Sequence, residues 1–149
     1  MTSHDRGHYS GKHPQEKRVD PVIAKAITEH AVQDTADKTI TCAAAFKAAD
    51  ACGAAPGEAG FTADKLEIRI IECQMGIFGY KPDKKVVKPM DIVPEALEKA
   101  IKDKLDKDKR LSCSFAWEIA KALNLPKMHV SSACEGLGIK IKPCQLGAF

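Results

Sequence analysis

Aromatic side chains are scarce: one Trp, two Tyr and five Phe make up 5% of 149 residues. A core short of rings has to be filled by Ala, Ile, Leu and Val, which suits closely packed short helices better than a large sheet. No apolar run approaches the roughly 18 residues that a membrane-crossing helix needs. The first twenty residues are polar and lack the apolar stretch of a signal peptide. The expectation is a cytoplasmic protein with no membrane partner, in a compartment that keeps thiols reduced. Six cysteines then need a reading other than a disulfide framework. A strong charge of one sign is lacking too. The 23 Lys and Arg oppose 20 Asp and Glu, a formal +3, too mild to announce a nucleic-acid binder by itself.

Catalytic signatures are also missing. The chain has no Gly-rich phosphate loop and no nucleophile elbow. Its carboxylates stand at spacings suited to solvated i,i+4 pairs with Lys, and His30 and His129 are unaccompanied. Neither an enzyme nor a cofactor-binding protein is expected. At 44% apolar and 29% charged residues the composition is that of an ordinary globular protein of one or two small domains.

What the chain does have is a duplication. Sliding the sequence by 71 residues lays Cys42–Phe78 over Cys113–Phe149 without a gap, and eleven of the 37 positions are identical. Among them are Cys42/Cys113, Ala45/Ala116, Leu66/Leu137, Ile68/Ile139, Ile70/Ile141, Cys73/Cys144 and Gln74/Gln145. Chance supplies roughly two identities over such a span. A repeat of this length is one supersecondary unit used twice.

The organisation follows from that. Residues 1–19, with His4, His8 and His13, read as a disordered polar tail, 20–80 as the first repeat, 81–93 as a linker rich in Pro and Lys, and 94–149 as the second repeat. Asp20 before Pro21 is an N-cap signature for a helix over 22–33, and Pro94 opens another over 95–106. Within each copy a short β-prone piece ends in Thr41 or Ser112, which can cap the next helix. That helix is expected to bury Cys42, Ala45, Phe46, Ala49 and Cys52, or Cys113, Ala116, Trp117, Ala120 and Leu123. Gly53 and Asn124 stand where a left-handed C-cap is needed. Pro56 and Pro126 restart the chain into a further helix with inner face Ala59, Ala63, Leu66, or Val130, Ala133, Leu137. Alternation in Ile68-Arg69-Ile70 and Ile139-Lys140-Ile141 reads as a half-buried strand, which Cys-Gln-(Met/Leu)-Gly-x-Phe returns through a tight turn built on Gly76 or Gly147.

Helix, short strand, helix, turn, helix, two-stranded ribbon is the order of a winged helix. The fold class expected is mainly α with short β-hairpins, as two tandem winged helix-turn-helix repeats. The unit Cys-x2-Ala-x3-Ala, turn, helix, Leu-x-Ile-(Lys/Arg)-Ile-x2-Cys-Gln-Leu-Gly-x-Phe resembles that of small tandem winged-helix proteins of anaerobic bacteria, labelled as relatives of molybdate-responsive transcriptional regulators. The resemblance covers roughly 41–80 and 112–149, and it implies winged-helix units and a role in transcription. No molybdate-binding domain is visible, so effector binding is not implied.

A winged helix places the second helix of its helix-turn-helix in the major groove and holds phosphates with flanking cations. In the second repeat this makes Lys127, His129, Ser131 and Ser132 the groove-facing set, with Lys140 and Lys142 on the strand behind them. Residues 111–149 carry a net +2 and 41–80 a net −2. The first repeat offers only Lys65 and Arg69, and puts Glu58 and Phe61 on the outward face. Double-stranded DNA is therefore the expected partner of a transcriptional regulator, led by the second repeat. The rivals are an adaptor or accessory subunit of a redox complex, gripping a protein partner through Phe61 and the acidic first repeat, and a thiol- or metal-responsive sensor using Cys42, Cys73, Cys113 and Cys144. The four cysteines lack the usual ligand spacings. A homodimer is compatible with all three.

Overall fold

The computed structural model describes residue 13, residues 17–34 and residues 37–148. Among these residues the chain is mainly helical, with six helices and one three-stranded sheet. It divides into two compact units, Met1–Cys73 with Gln145–Phe149, and Gln74–Cys144. The cut falls directly after the repeated cysteines Cys73 and Cys144, so residues 81–93 belong wholly to the second unit.

The first unit starts with α1 (Pro21–His30), where the Asp20 carboxylate accepts from the Val22 N–H and Pro21 occupies the first turn. Ile23 and Ile27, one turn apart, form its buried stripe. Strands β1 (Val32–Asp34) and β2 (Asp37–Thr41) pair antiparallel. Thr41 then caps α2 (Cys42–Ala51) through its hydroxyl, which accepts from Ala44 N–H at 3.0 Å. A four-residue turn leads to α3 (Pro56–Lys65), and β3 (Arg69–Ile71) returns parallel to β2 with Ile40 opposite Ile70. The core is aliphatic as its composition requires. Ile27, Ile40, Ile68 and Ile70 are each at most 1% exposed and pack with Ala45, Ala48, Ala59 and Ala63.

The last residues of the chain complete this unit. Leu146 and Ala148 are 1% exposed, and the Leu146 carbonyl lies against the backbone of α3 at Gly60. A Cβ built on Gly60 would sit well inside van der Waals contact with that oxygen. Only a residue without a side chain lets the two backbones approach so closely.

The second unit repeats the plan. Helix α4 (Glu95–Asp103) buries Leu97 and Ile101, α5 (Cys113–Ala122) is capped by Ser112 accepting from Phe115 N–H at 3.1 Å, and α6 (Lys127–Leu137) follows a four-residue turn. Leu111 and Ile141 form a parallel bridge. Met75, 0% exposed, and Phe78, 5% exposed, supply the part that Leu146 and Ala148 supply to the first unit.

The elements recur at the 71-residue offset of the sequence. Helices start at Cys42 and Cys113 and again at Pro56 and Lys127. Ile40 faces Ile70 as Leu111 faces Ile141. The Ile68 N–H donates to Ala63 O and the Ile139 N–H to Cys134 O, both at 2.8 Å. Gly53 and Asn124 both take the left-handed conformation, at φ 65° and 54°.

Several expectations fail on packing. Leu66, placed on the inner face of its helix, is 39% exposed, while Phe61, placed outward, is 3% exposed. Leu123 is 37% exposed and Cys52 half-buried. Among the described residues no ribbon strand follows β3 or Ile141; the Gln-x-Gly segments run through turns. The sheet gains instead the unforeseen β1. Most of the expected tail lies outside the described residues, but His13 does not. Its Nε2 donates to Asp64 Oδ2 at 2.7 Å, and its ring meets Phe61 edge-on at 4.8 Å.

Candidate nucleic-acid interface

Helix α6 was the expected groove reader, and its side chains are largely committed within the unit. Ser131 is 1% exposed, and its hydroxyl donates to the Met75 carbonyl at 2.6 Å. Lys127 is half-buried; its ammonium lies 4.0 Å from the centroid of the Trp117 ring and donates to Gln74 Oε1 at 3.1 Å. Both residues are therefore tied within the unit. His129 is exposed.

The rest of that face is covered by the segment taken for a linker. The amides of Val86 and Val87 both donate to Gly76 O, at 2.9 and 3.1 Å. The Ser132 hydroxyl donates to Lys88 O at 2.7 Å, and Met90 N–H to Ser132 O at 3.0 Å. Farther along, the Met90 carbonyl approaches Gly136 so closely that a Cβ there would collide with it. An ion pair between Lys85 and Glu135 fastens the start of the strap. The small residues Ser132 and Gly136 give clearance to residues 86–90.

The other cations of the second unit remain outside. Leu111 N–H donates to Lys140 O at 3.0 Å and Lys142 N–H to Leu111 O at 2.8 Å. Leu111 and Ile141 point into the core, 0% and 8% exposed, so alternation turns their neighbours Lys140 and Lys142 to solvent, where both are exposed. The loop before Leu111 is braced by one carboxylate. Asp106 Oδ1 accepts from the N–H groups of Asp108 and Arg110, both at 2.9 Å, while the Arg110 guanidinium reaches Asp106 and Asp108 at 3.2 Å. The Arg110 backbone N–H in particular holds the Asp106 carboxyl below its usual range. This bracing fixes the loop that carries the exposed Lys107 and Lys109 into the bridge. Four exposed lysines thus lie in the two segments that meet at the Leu111–Ile141 bridge, and sequence spacing alone did not single out Lys107 or Lys109.

Division into units sharpens the charge asymmetry. Residues 74–144 hold fourteen Lys and Arg against nine Asp and Glu, a formal +5, and the remainder holds nine against eleven, −2. In the first unit, Lys65 is half-buried with its Nζ 6.0 Å from the Phe61 ring centroid, and Arg69 is half-buried on β3. Phe61 lies beneath His13 and Lys17, whose Nζ stands 4.0 Å from the ring centroid. That burial removes the apolar grip expected for a protein partner.

The cysteines fall into different environments. Cys42, Cys73, Cys113 and Cys134 are buried, Cys52 and Cys144 half-buried. Among the described residues no group of three or more His, Cys, Asp and Glu is placed to hold a metal ion. Burial, seconded by Glu135, pushes the Cys134 thiol up to about 12 from an ordinary 9.0. Cys134 is expected to resist iodoacetamide at pH 8.5 in the native protein while Cys52 and Cys144 react; alkylation at equal rates, read by peptide mass, would refute this. The linkage has a definite sign. The folded state keeps the proton that the unfolded state loses above pH 9, so this contribution is complete below 9 and declines as pH rises towards 12, by about 1.4 kcal/mol per unit. Cys134→Ala should flatten the fall of stability over that interval.

No described helix is long and apolar enough to cross a membrane. Compared with known proteins, the chain matches no family model, no curated protein and no solved structure.

Proposed function

We propose that this chain is a double-stranded-DNA-binding regulator built from two winged-helix-like modules, and that it holds phosphates through the edge of its second unit. Lys107, Lys109, Lys140 and Lys142 supply the contacts, with Arg110 bracing the loop. The observation that carries this reading is the segregation of charge, +5 in one unit and −2 in the other, together with four exposed lysines in the two segments that meet at the Leu111–Ile141 bridge. The helix-turn-helix arrangement, with a four-residue turn in each unit, supports the module type. Phosphate contacts give affinity and position but little sequence information. Because residues 86–90 cover α6, the reading favours backbone contact over base readout in this state.

Fluorescence anisotropy with a 30-base-pair duplex over a salt series tests it. Four cations on phosphates predict a slope of log K against log salt of about −3 to −4. Lys140→Gln with Lys142→Gln should reduce that magnitude by about 2 and weaken binding about tenfold or more at 50 mM salt. No binding at 50 mM salt, an unchanged slope in the double variant, or equal binding to polyglutamate would each overturn the proposal.

A further inference from the structure

Cys113 and Cys144 are brought together by a slip in the pairing of the second unit. After the bonds between Leu111 and residues 140 and 142, a regular parallel ladder would send the Cys113 N–H to the carbonyl of residue 142. It donates instead to Pro143 O, at 3.1 Å. The extra residue sets Cys113 opposite Cys144. A carbonyl oxygen lies about 2.8 Å from the next α-carbon and an amide nitrogen about 1.5 Å from its own, so the two α-carbons stand no farther apart than about 7.4 Å, and nearer to the extent that the three links are not collinear. Disulfides span about 4.4–6.8 Å between α-carbons.

The two sulfurs are also unequal in a useful way. Cys144 is half-buried, whereas Cys113 is 5% exposed as the first residue of the ten-residue α5. One sulfur can meet a reagent from solution, and the other is shielded from it. The repeat counterparts Cys42 and Cys73 are 6% and 4% exposed, so neither of them offers the same entry.

We propose that Cys113 and Cys144 are a dithiol–disulfide couple, closed by thiol–disulfide exchange with a small-molecule disulfide such as oxidised glutathione. The Cys144 thiolate attacks one sulfur of the small disulfide, whose S–S bond breaks and whose released thiolate takes up the proton Cys144 gave. The Cys113 thiolate then attacks the Cys144 sulfur and expels the second small thiolate, which takes up the proton of Cys113. Two protein thiols are oxidised by two electrons and one small disulfide is reduced to two thiols. The bond clips the first turn of α5 to the strand that carries Lys140 and Lys142. The couple stands independently of the nucleic-acid reading.

The full chain, reduced without oxygen and then equilibrated with glutathione mixtures at pH 7.5, provides the test. Acid quenching, alkylation and peptide mass mapping follow. The expected first product is a Cys113–Cys144 cross-link with the loss of two hydrogens. Cys113→Ser should stop at a glutathione adduct on Cys144, and Cys144→Ser should leave Cys113 as a thiol. A lasting adduct on Cys144 of the unsubstituted chain, a first cross-link through any other cysteine, or no cross-link in fully oxidised glutathione would overturn it.

Discussion

Gly60→Ala is expected to destabilise the protein by about 3 kcal/mol, and Gly60→Val by more, seen as a urea midpoint lowered by 1 M or more, on the order expected for a domain of this size. The sign carries the argument. At an exposed site inside a helix, replacing Gly by Ala stabilises by about 1 kcal/mol, because Gly sacrifices more backbone entropy on folding. At residue 60 the new methyl would meet the Leu146 carbonyl, which belongs to backbone and cannot swing aside. The segment 145–148 would have to lift, exposing Leu146 and Ala148, both 1% exposed in the native unit. The second unit gives a calibrated contrast. Its equivalent position is Ser131, whose hydroxyl accommodates the Met75 carbonyl by donating to it. Ser131→Ala removes that donor from a buried carbonyl and should cost about 1–2 kcal/mol. A stabilising Gly60→Ala would show that the chain end does not rest on α3.

The local plan of each unit was legible because local chemistry determines it. Thr41 and Ser112 announce helix starts through their hydroxyls, Gly53 and Asn124 mark the left-handed stops, and the 71-residue offset sets α2 against α5 and α3 against α6. The destination of Gln-x-Gly-x-Phe was not legible. Each copy of that segment is completed in the unit opposite to the one its preceding strand belongs to, and nothing in its own period specifies which helix receives it. Helical spacing assigns inner and outer faces on the assumption that one side meets water. That assumption fails for α3, where His13 and Lys17 cover Phe61, and for α6, where residues 86–90 and Met75 cover the far side. Matched small residues at 60 and 131, with Gly136, were the available signal of backbone arriving from elsewhere. Of the eight residues expected at DNA, Lys140 and Lys142 occupy an exposed edge, while Ser131 and Lys127 are internal ties.

Leu111→Ala and Ile40→Ala form a matched pair whose costs weigh the two units against each other. Both side chains stand two residues before a helix start, both face an isoleucine across a parallel pairing, and both are at most 1% exposed. Removing a buried Leu or Ile side chain down to the β-carbon costs about 2–5 kcal/mol, of which the residual cavity sets the spread. Ile40 lies in the middle strand of a three-stranded sheet, inside the three-residue pairing with β3 and next to Thr39, which pairs with β1. Its cavity has little room to collapse, and about 4 kcal/mol is expected. Leu111 is held by a single bridge, so the chain around it can relax into part of the void, and about 3 kcal/mol is expected. Denaturant unfolding followed by amide exchange, read separately for residues 17–73 and 74–144, would localise each loss to its own unit. A cost below 1 kcal/mol at Leu111 would mean that the second unit does not bury this residue as Ile40 is buried in the first. The physical equivalence of the two units would then fail at the position where their strands coincide.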